Sequence, residues 1–388
     1  TSSVHRGFIP QYEPIVNIPR NTESLVPDSR SPKLAEFHAN RSREWTLLVA
    51  IRSLKDVAGH IPEFSCDKYG SRLIQDRLTI ASNIQRQLVF DELVPHAALR
   101  LMFDFYGNYV IQKLFELYSP TRKSKLATLM EGHLLSLSTQ IHGSRVVQKA
   151  IENILPDQRL RFYAELHLHV EVCMRNPYGN FVIEKFLAYV PPQELEFLKT
   201  IQISAFQLAK DRFGCRVVLK CLELIPREAI DPLFDVIHQK TMALMLDKYG
   251  NYIIQFLLRS GSPQDKSKLI TKIEGNVVEL SCHKYSSNVM ETLLVSTDSA
   301  TRSNLIRELL VSAHSTDQSP VYLLAGHRYG NYVLQRAMEV ADIDQRTLLE
   351  ERVERDLLLG SSHLYITDKR LFIVQRLLED NDRLLKKR

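Results

Sequence analysis

Apolar residues recur along this chain at i, i+1, i+4 and i+5, each time behind the same small motif. Val110, Ile111, Leu114 and Phe115 have this spacing; Val146, Val147, Ala150 and Ile151 repeat it, and Ile253, Ile254, Leu257 and Leu258 return to it. Such a stripe is one face of an α-helix, so each segment is expected to bury it in a core. An aromatic residue or histidine followed by glycine opens seven of the segments, at Gly70, Gly107, Gly143, Gly179, Gly214, Gly250 and Gly330, and Ser286 holds the same register in another. From one of these positions to the next the steps are 37, 36, 36, 35, 36, 36 and 44 residues. A fixed period of this size predicts an array of small stacked units rather than one closed core.

Upstream of each motif runs a second amphipathic stretch, such as 123–137 or 194–208. Two or three helices per unit and no strand pattern predict an all-α superhelix. Asp67, Asp104, Asp211 and Asp247 each stand three residues before the glycine, so a helix is expected to start there with the glycine in its first turn. Serine at 286 indicates that the position demands small size rather than a positive φ. Residues 1–33 are polar and broken by Pro10, Pro14, Pro19, Pro27 and Pro32, which predicts an extended arm before helical periodicity begins at Leu34. The long step before the eighth motif places an inserted loop at 312–320, a candidate site for contacts with other proteins.

Composition narrows the classes. Hydrophobic content of 44% and charged content of 24% are ordinary for a soluble chain, and a net charge of +5 permits an anionic partner without requiring one. The five cysteines form no CxxC pair, which argues against a disulfide framework or a structural zinc site and fits a reducing compartment. No apolar run reaches membrane-spanning length, and the first residues lack a basic start followed by an apolar stretch. The expectation is a soluble cytoplasmic or nuclear protein, cytoplasmic for preference, with no membrane partner. His167, His169 and Cys173 are the nearest approach to a metal cluster, but their spacing does not share a helix face, so no metal or other cofactor is expected. No phosphate loop, nucleophile elbow or paired-carboxylate site is recognisable, so no enzyme is expected.

The candidate chemistry lies in three positions just after each glycine. The first and third are four residues apart, side by side on one helix face, and the second projects from the adjacent edge. The outer pairs are Ser71 and Gln75, Asn108 and Gln112, Ser144 and Gln148, Asn180 and Glu184, Cys215 and Leu219, Asn251 and Gln255, Ser287 and Glu291, and Asn331 and Gln335. They are mostly amides, hydroxyls and carboxylates, able to read the edge of a base. The middle residues are Arg72, Tyr109, Arg145, Phe181, Arg216, Tyr252, Asn288 and Tyr332. Planar side chains at seven of eight such positions fit stacking on bases. The position after the third residue is basic in five units, at Lys113, Lys149, Lys185, Lys220 and Arg336, which fits either phosphate attraction or ordinary solvated helix charge.

These motifs resemble the RNA-binding domain of the Pumilio/FBF (PUF) family across residues 34–388. The resemblance implies a crescent-shaped, right-handed α-solenoid of eight repeats centred near residues 70, 107, 143, 179, 214, 250, 286 and 330, with terminal caps at 34–60 and 345–388. It also implies a monomer that binds single-stranded RNA, one base per repeat, with the eighth repeat at the 5′ end. By the family's code, Asn with Gln reads uracil, Ser or Cys with Gln reads adenine, and Ser with Glu reads guanine. The site so implied is 5′-UGU(A/N)NAUA in mRNA 3′ untranslated regions, bound so as to recruit repressor or decay proteins. Two repeats depart from the code: Leu219 replaces the amide expected beside Cys215, and Asn180 with Glu184 fits no rule. Trp45 to Ile51 look inserted in the N-terminal cap, and 368–379, with Gln375 at the register of Gln335, resembles a capping repeat that reads no base. The competing reading is a HEAT- or armadillo-like solenoid that binds protein segments.

Overall fold

A computed structural model describes residues 30–41, 53–311 and 319–360. Residues 1–29 of the expected arm, the insertion at 45–51, the loop at 312–318 and the terminal repeat at 368–379 lie outside the described residues. Among the described residues every regular element is helical. Those up to Gln158 form one compact unit and those from Arg159 form a second.

Each repeat is built of three helices: a short one, the motif helix and an outer helix. In repeat 1 these are Ile61–Ser65, Gly70–Ile80 and Asn83–Leu93; in repeat 6 they are Thr241–Met245, Asn251–Ser260 and Pro263–Ile273. The stretch expected as one element at 123–137 is therefore two helices, Pro120–Thr128 and Leu134–Ser138. Gly132 separates them with φ of 82°, a left-handed residue that lets the chain turn. Gly275, also at 82°, directly follows the end of Pro263–Ile273 and its C-cap Glu274. The second long stretch divides likewise into Phe197–Ile203 and Ala205–Ala209, meeting at Ser204.

The apolar stripe is core, as its spacing predicted. Val110, Ile111, Leu114, Phe115, Val146, Val147, Ala150 and Ile151 are all fully buried. In the first unit the motif helices of repeats 1, 2 and 3 pack side by side, and in the second unit those of repeats 4 to 8 do the same. Helix Pro32–Arg41 covers the end of repeat 1, burying Leu34 and Phe37 and setting the Phe37 ring 5.3 Å from that of Phe64. Ser31 N also donates to a Glu63 carboxylate oxygen at 2.8 Å.

The motif glycines sit where the motif helix crosses the short helix before it. A Cβ at Gly143 would lie 2.6 Å from Leu137 O, and one at Gly179 would lie 2.7 Å from Cys173 O. None of these glycines has a positive φ. Where serine replaces glycine, Ser286 Oγ donates to Leu280 O, the carbonyl of the equivalent crossing residue, at 2.6 Å. Small size is the requirement, and the one added oxygen is accommodated by a hydrogen bond.

Candidate nucleic-acid interface

The turn into seven of the eight motif helices is fixed by an acceptor three residues before the glycine position. Asp67 Oδ1 accepts from Tyr69 N at 2.9 Å and from Gly70 N at 2.8 Å. Asp104, Asp211 and Asp247 make the equivalent pairs. These bonds close the turn before the helix; the regular helix begins three or four residues on, at or beside the glycine, and not at the aspartate as the sequence suggested. Asn176 does the same in repeat 4 through Oδ1, at 2.8 and 2.9 Å. His283 and His327 do so in repeats 7 and 8 through Nδ1. An accepting Nδ1 requires a neutral ring with its proton on Nε2. The aspartates were visible in the sequence; Asn176, His283 and His327 were not singled out, though they stand in the same register.

With the turn fixed, the first residue of each outer pair points back into it and is buried, rather than lying on a solvated face. Asn108 is 0% exposed, and Ser71, Ser144, Asn180, Cys215, Asn251, Ser287 and Asn331 are all buried. Asn108 Nδ2 donates to Asp104 O and Phe105 O, both at 2.9 Å, which sets its Oδ1 toward the next turn of helix. There Gln112 Nε2 donates to it at 2.9 Å. Repeat 6 repeats the arrangement with Asn251 and Gln255 at 2.9 Å, and repeat 8 with Asn331 and Gln335 at 3.2 Å. In repeats 2 and 8 the glutamine is thereby held by one of its N–H groups, leaving the other N–H and the carbonyl as a donor beside an acceptor. That pair complements uracil, whose N3–H lies beside a carbonyl. Serine is too short for this contact. In repeat 1 Gln75 Nε2 donates instead to Ser71 O at 3.1 Å, so that repeat holds its glutamine differently from the Asn repeats.

The middle residues stand outward. Tyr252 and Tyr332 are each 56% exposed, and Arg72, Arg145, Arg216 and Asn288 are exposed as well. Arg145 donates to Tyr109 Oη at 3.0 Å, linking the plates of repeats 2 and 3. Phe181 is the exception and is half-buried, because the Arg216 guanidinium lies over its ring at 4.4 Å.

Glu184 and Glu291 occupy equivalent half-buried positions, and burial pushes both carboxyls above the ordinary carboxylate range despite a nearby arginine. That arginine is Arg216 Nε, 3.7 Å from Glu184, and Arg336 at 3.8 Å from Glu291. Cys215 has its thiol pushed up to about 11, mainly by burial, so it stays a neutral thiol rather than a nucleophile. Cys173 is fully buried and His167 faces Tyr163 Oη at 3.1 Å, so the sequence cluster with His169 is not assembled as a ligand set.

The basic positions are mostly neutralised. Lys113 pairs with Glu116 at 3.2 Å, Lys149 with both Glu116 and Glu152, Lys220 with Glu223 at 2.9 Å, and Arg336 with Glu339. Glutamate three residues on was readable in the sequence, and it favours solvated helix charge over a phosphate-binding row. Arg259 is a residue that sequence reasoning missed: its guanidinium donates to Gln255 Oε1 at 2.8 Å, and Thr292 Oγ1 does so at 3.2 Å. Gln255 is accordingly 7% exposed and has its carbonyl engaged. Beside it an open depression is lined by Gln255, Arg259, Asn288, Glu291 and Arg336.

Comparison with known proteins matches the repeat array. A profile described as the Pumilio-family RNA binding repeat matches eight segments, 60–94, 100–128, 133–167, 169–198, 204–238, 241–274, 276–310 and 320–351. A Pumilio domain-containing protein of Schizosaccharomyces pombe is 30% identical over 331 residues, covering 85% of this chain and 47% of its own length. Pumilio homolog 12 of Arabidopsis thaliana is 29% identical over 310 residues, covering 79% of this chain and 51% of that protein. The chain thus spans about half the length of the curated relatives it matches. Among solved structures, the Puf3 RNA binding domain bound to a Cox17 RNA 3′ UTR recognition sequence has a TM-score of 0.77 and 30% identity. That likeness covers 90% of this chain and 99% of the other. PUF-8 in complex with PBE-RNA also has a TM-score of 0.77, at 27% identity, covering 89% of this chain and 99% of that one.

Proposed function

The chain belongs to the Pumilio family of RNA-binding repeat proteins, and from that premise we propose that it captures single-stranded mRNA by reading one base with each repeat. The observation that carries the reading is the Asn–Gln hydrogen bond repeated in repeats 2, 6 and 8, each beside an exposed tyrosine, with the glutamine's amide edge left open in repeats 2 and 8. A solvated solenoid face has no need to hold a glutamine by one N–H and leave an amide edge for a partner. Neither does a groove for protein segments require an aromatic plate in the same register.

Repeats 8, 7 and 6 take 5′-UGU through Asn331 and Gln335, Ser287 and Glu291, and Asn251 and Gln255. Repeats 3, 2 and 1 take AUA through Ser144 and Gln148, Asn108 and Gln112, and Ser71 and Gln75. Tyr332, Tyr252, Tyr109, Arg145 and Arg72 stack on the bases. In repeat 5 Cys215 keeps the shape of an adenine reader, but Leu219 supplies no hydrogen bond, so that base is weakly specified. The carboxylate of Glu291 accepts from both N1–H and the exocyclic amine of guanine. Bound in a 3′ untranslated region in the cytoplasm, the protein acts as an adaptor that brings repressor or decay proteins to the message.

Filter binding with an 8-nucleotide UGU-containing RNA (5′-UGUAUAUA) and a scrambled control, at two salt concentrations, tests the reading. Preference for the UGU sequence is expected to persist at both salts. Equal, weak binding that vanishes at the higher salt would favour the protein-binding solenoid.

A further inference from the structure

Repeat 4 departs from its neighbours in a way that has a chemical consequence. Asn180 is 0% exposed, and its Nδ2 donates to Asn176 O at 2.8 Å, which directs Oδ1 toward position 184 as in repeats 2, 6 and 8. In those repeats a glutamine N–H meets that oxygen. Position 184 is a glutamate, whose ionised carboxylate only accepts, and Asn180 Oδ1 is a buried oxygen with no hydrogen-bond partner. Turning the amide over would bring N–H groups to Glu184 but would set Oδ1 against the Asn176 carbonyl. Arg216 Nε, at 3.7 Å from Glu184, lies beyond hydrogen-bond distance and is drawn over the Phe181 ring. The repeat therefore presents a cluster of acceptors with too few donors.

We infer that repeat 4 is a guanine reader, selecting at the fifth base of the RNA a Watson–Crick edge with two adjacent N–H donors. Among the four bases only guanine carries N1–H beside an exocyclic amine. Beside its one donor uracil would turn a carbonyl oxygen toward the carboxylate, cytosine its N3 and adenine its N1. The comparison within the chain supports the assignment, since Glu184 and Glu291 share depth of burial and an arginine at 3.7 to 3.8 Å. The inference rests on the one-repeat-one-base reading and replaces its unspecified fifth position with G.

The test is equilibrium binding of the full chain to 5′-UGUAGAUA and to the three RNAs with U, C or A at the fifth base. A further RNA carries U in place of G at the second base. The wild-type chain is expected to bind the G5 RNA about tenfold more tightly than the U5 RNA. Glu184→Gln, which restores a donor to Asn180 Oδ1, is expected to reverse the order in favour of U5. Asn180→Ser, which recreates the pair of repeat 7, is expected to keep G5 first. Wild-type binding of U5, C5 or A5 as tight as that of G5, with discrimination at the second base intact, would overturn the assignment of repeat 4 alone. Failure to bind any of the RNAs, or to distinguish the second base, would overturn the RNA reading and this inference with it.

Discussion

At the scale of single residues, what distinguishes one repeat from another is whether the buried first residue finds a donor. Asn108, Asn251 and Asn331 do, and Asn180 does not. Glu184→Gln should therefore stabilise the protein by about 1 kcal/mol at neutral pH, the net worth of one hydrogen bond. Burial holds the Glu184 carboxyl above its ordinary range in the folded chain. Its contribution to stability is thus full below the unfolded carboxyl's pKa and is lost as pH rises through the raised folded value. The advantage of the Gln variant should be smallest in acid and grow toward neutral pH. Thermal melts of both proteins across that range measure it, and an advantage that shrinks as pH rises would contradict the account.

At the scale of the helix, two kinds of glycine do different work. Gly132 adopts a φ of 82°, and a Cβ added there would meet nothing within 4 Å, so Gly132→Ala should cost about 1 kcal/mol through backbone strain alone. Gly143 is helical, but a Cβ added there would lie 2.6 Å from Leu137 O, so Gly143→Ala should cost about 2 kcal/mol by overpacking the crossing of two helices. Urea denaturation of the two variants checks the order. The period, the apolar stripe and the size rule at Ser286 were legible in sequence, because each reflects spacing along one helix. The burial of Asn108 and its fellows was not. It depends on the loop carbonyls of residues such as Asp104 and Phe105, which only the folded turn brings within reach. Nor was the break at Gly132, because amphipathic pattern continues across it from 123 to 137 while the backbone turns. The cover of Arg216 over Phe181 joins residues of different repeats, and spacing within a single repeat gives no sign of it.

At the scale of the molecule, under the proposed reading specificity rests on hydrogen-bonding edges and stacking plates more than on charge. Glu116 engages both Lys113 and Lys149 at 3.2 Å, and those bonds hold its carboxyl below the ordinary range despite the opposing effect of burial. Glu116→Gln should free Lys113 and leave Lys149 with Glu152 alone, tighten RNA binding several-fold at low salt and steepen the decline of affinity with salt. A salt titration of binding reports both effects, and an unchanged slope would show that these lysines never approach the phosphates. The central claim, that one repeat reads one base, is tested most directly by exchanging the pair in repeat 7. A chain carrying both Ser287→Asn and Glu291→Gln should prefer U over G at the second base by about tenfold, while the wild-type chain prefers G by a similar factor. If both chains bind the two RNAs with the same ratio of affinities, the repeats do not read bases as described.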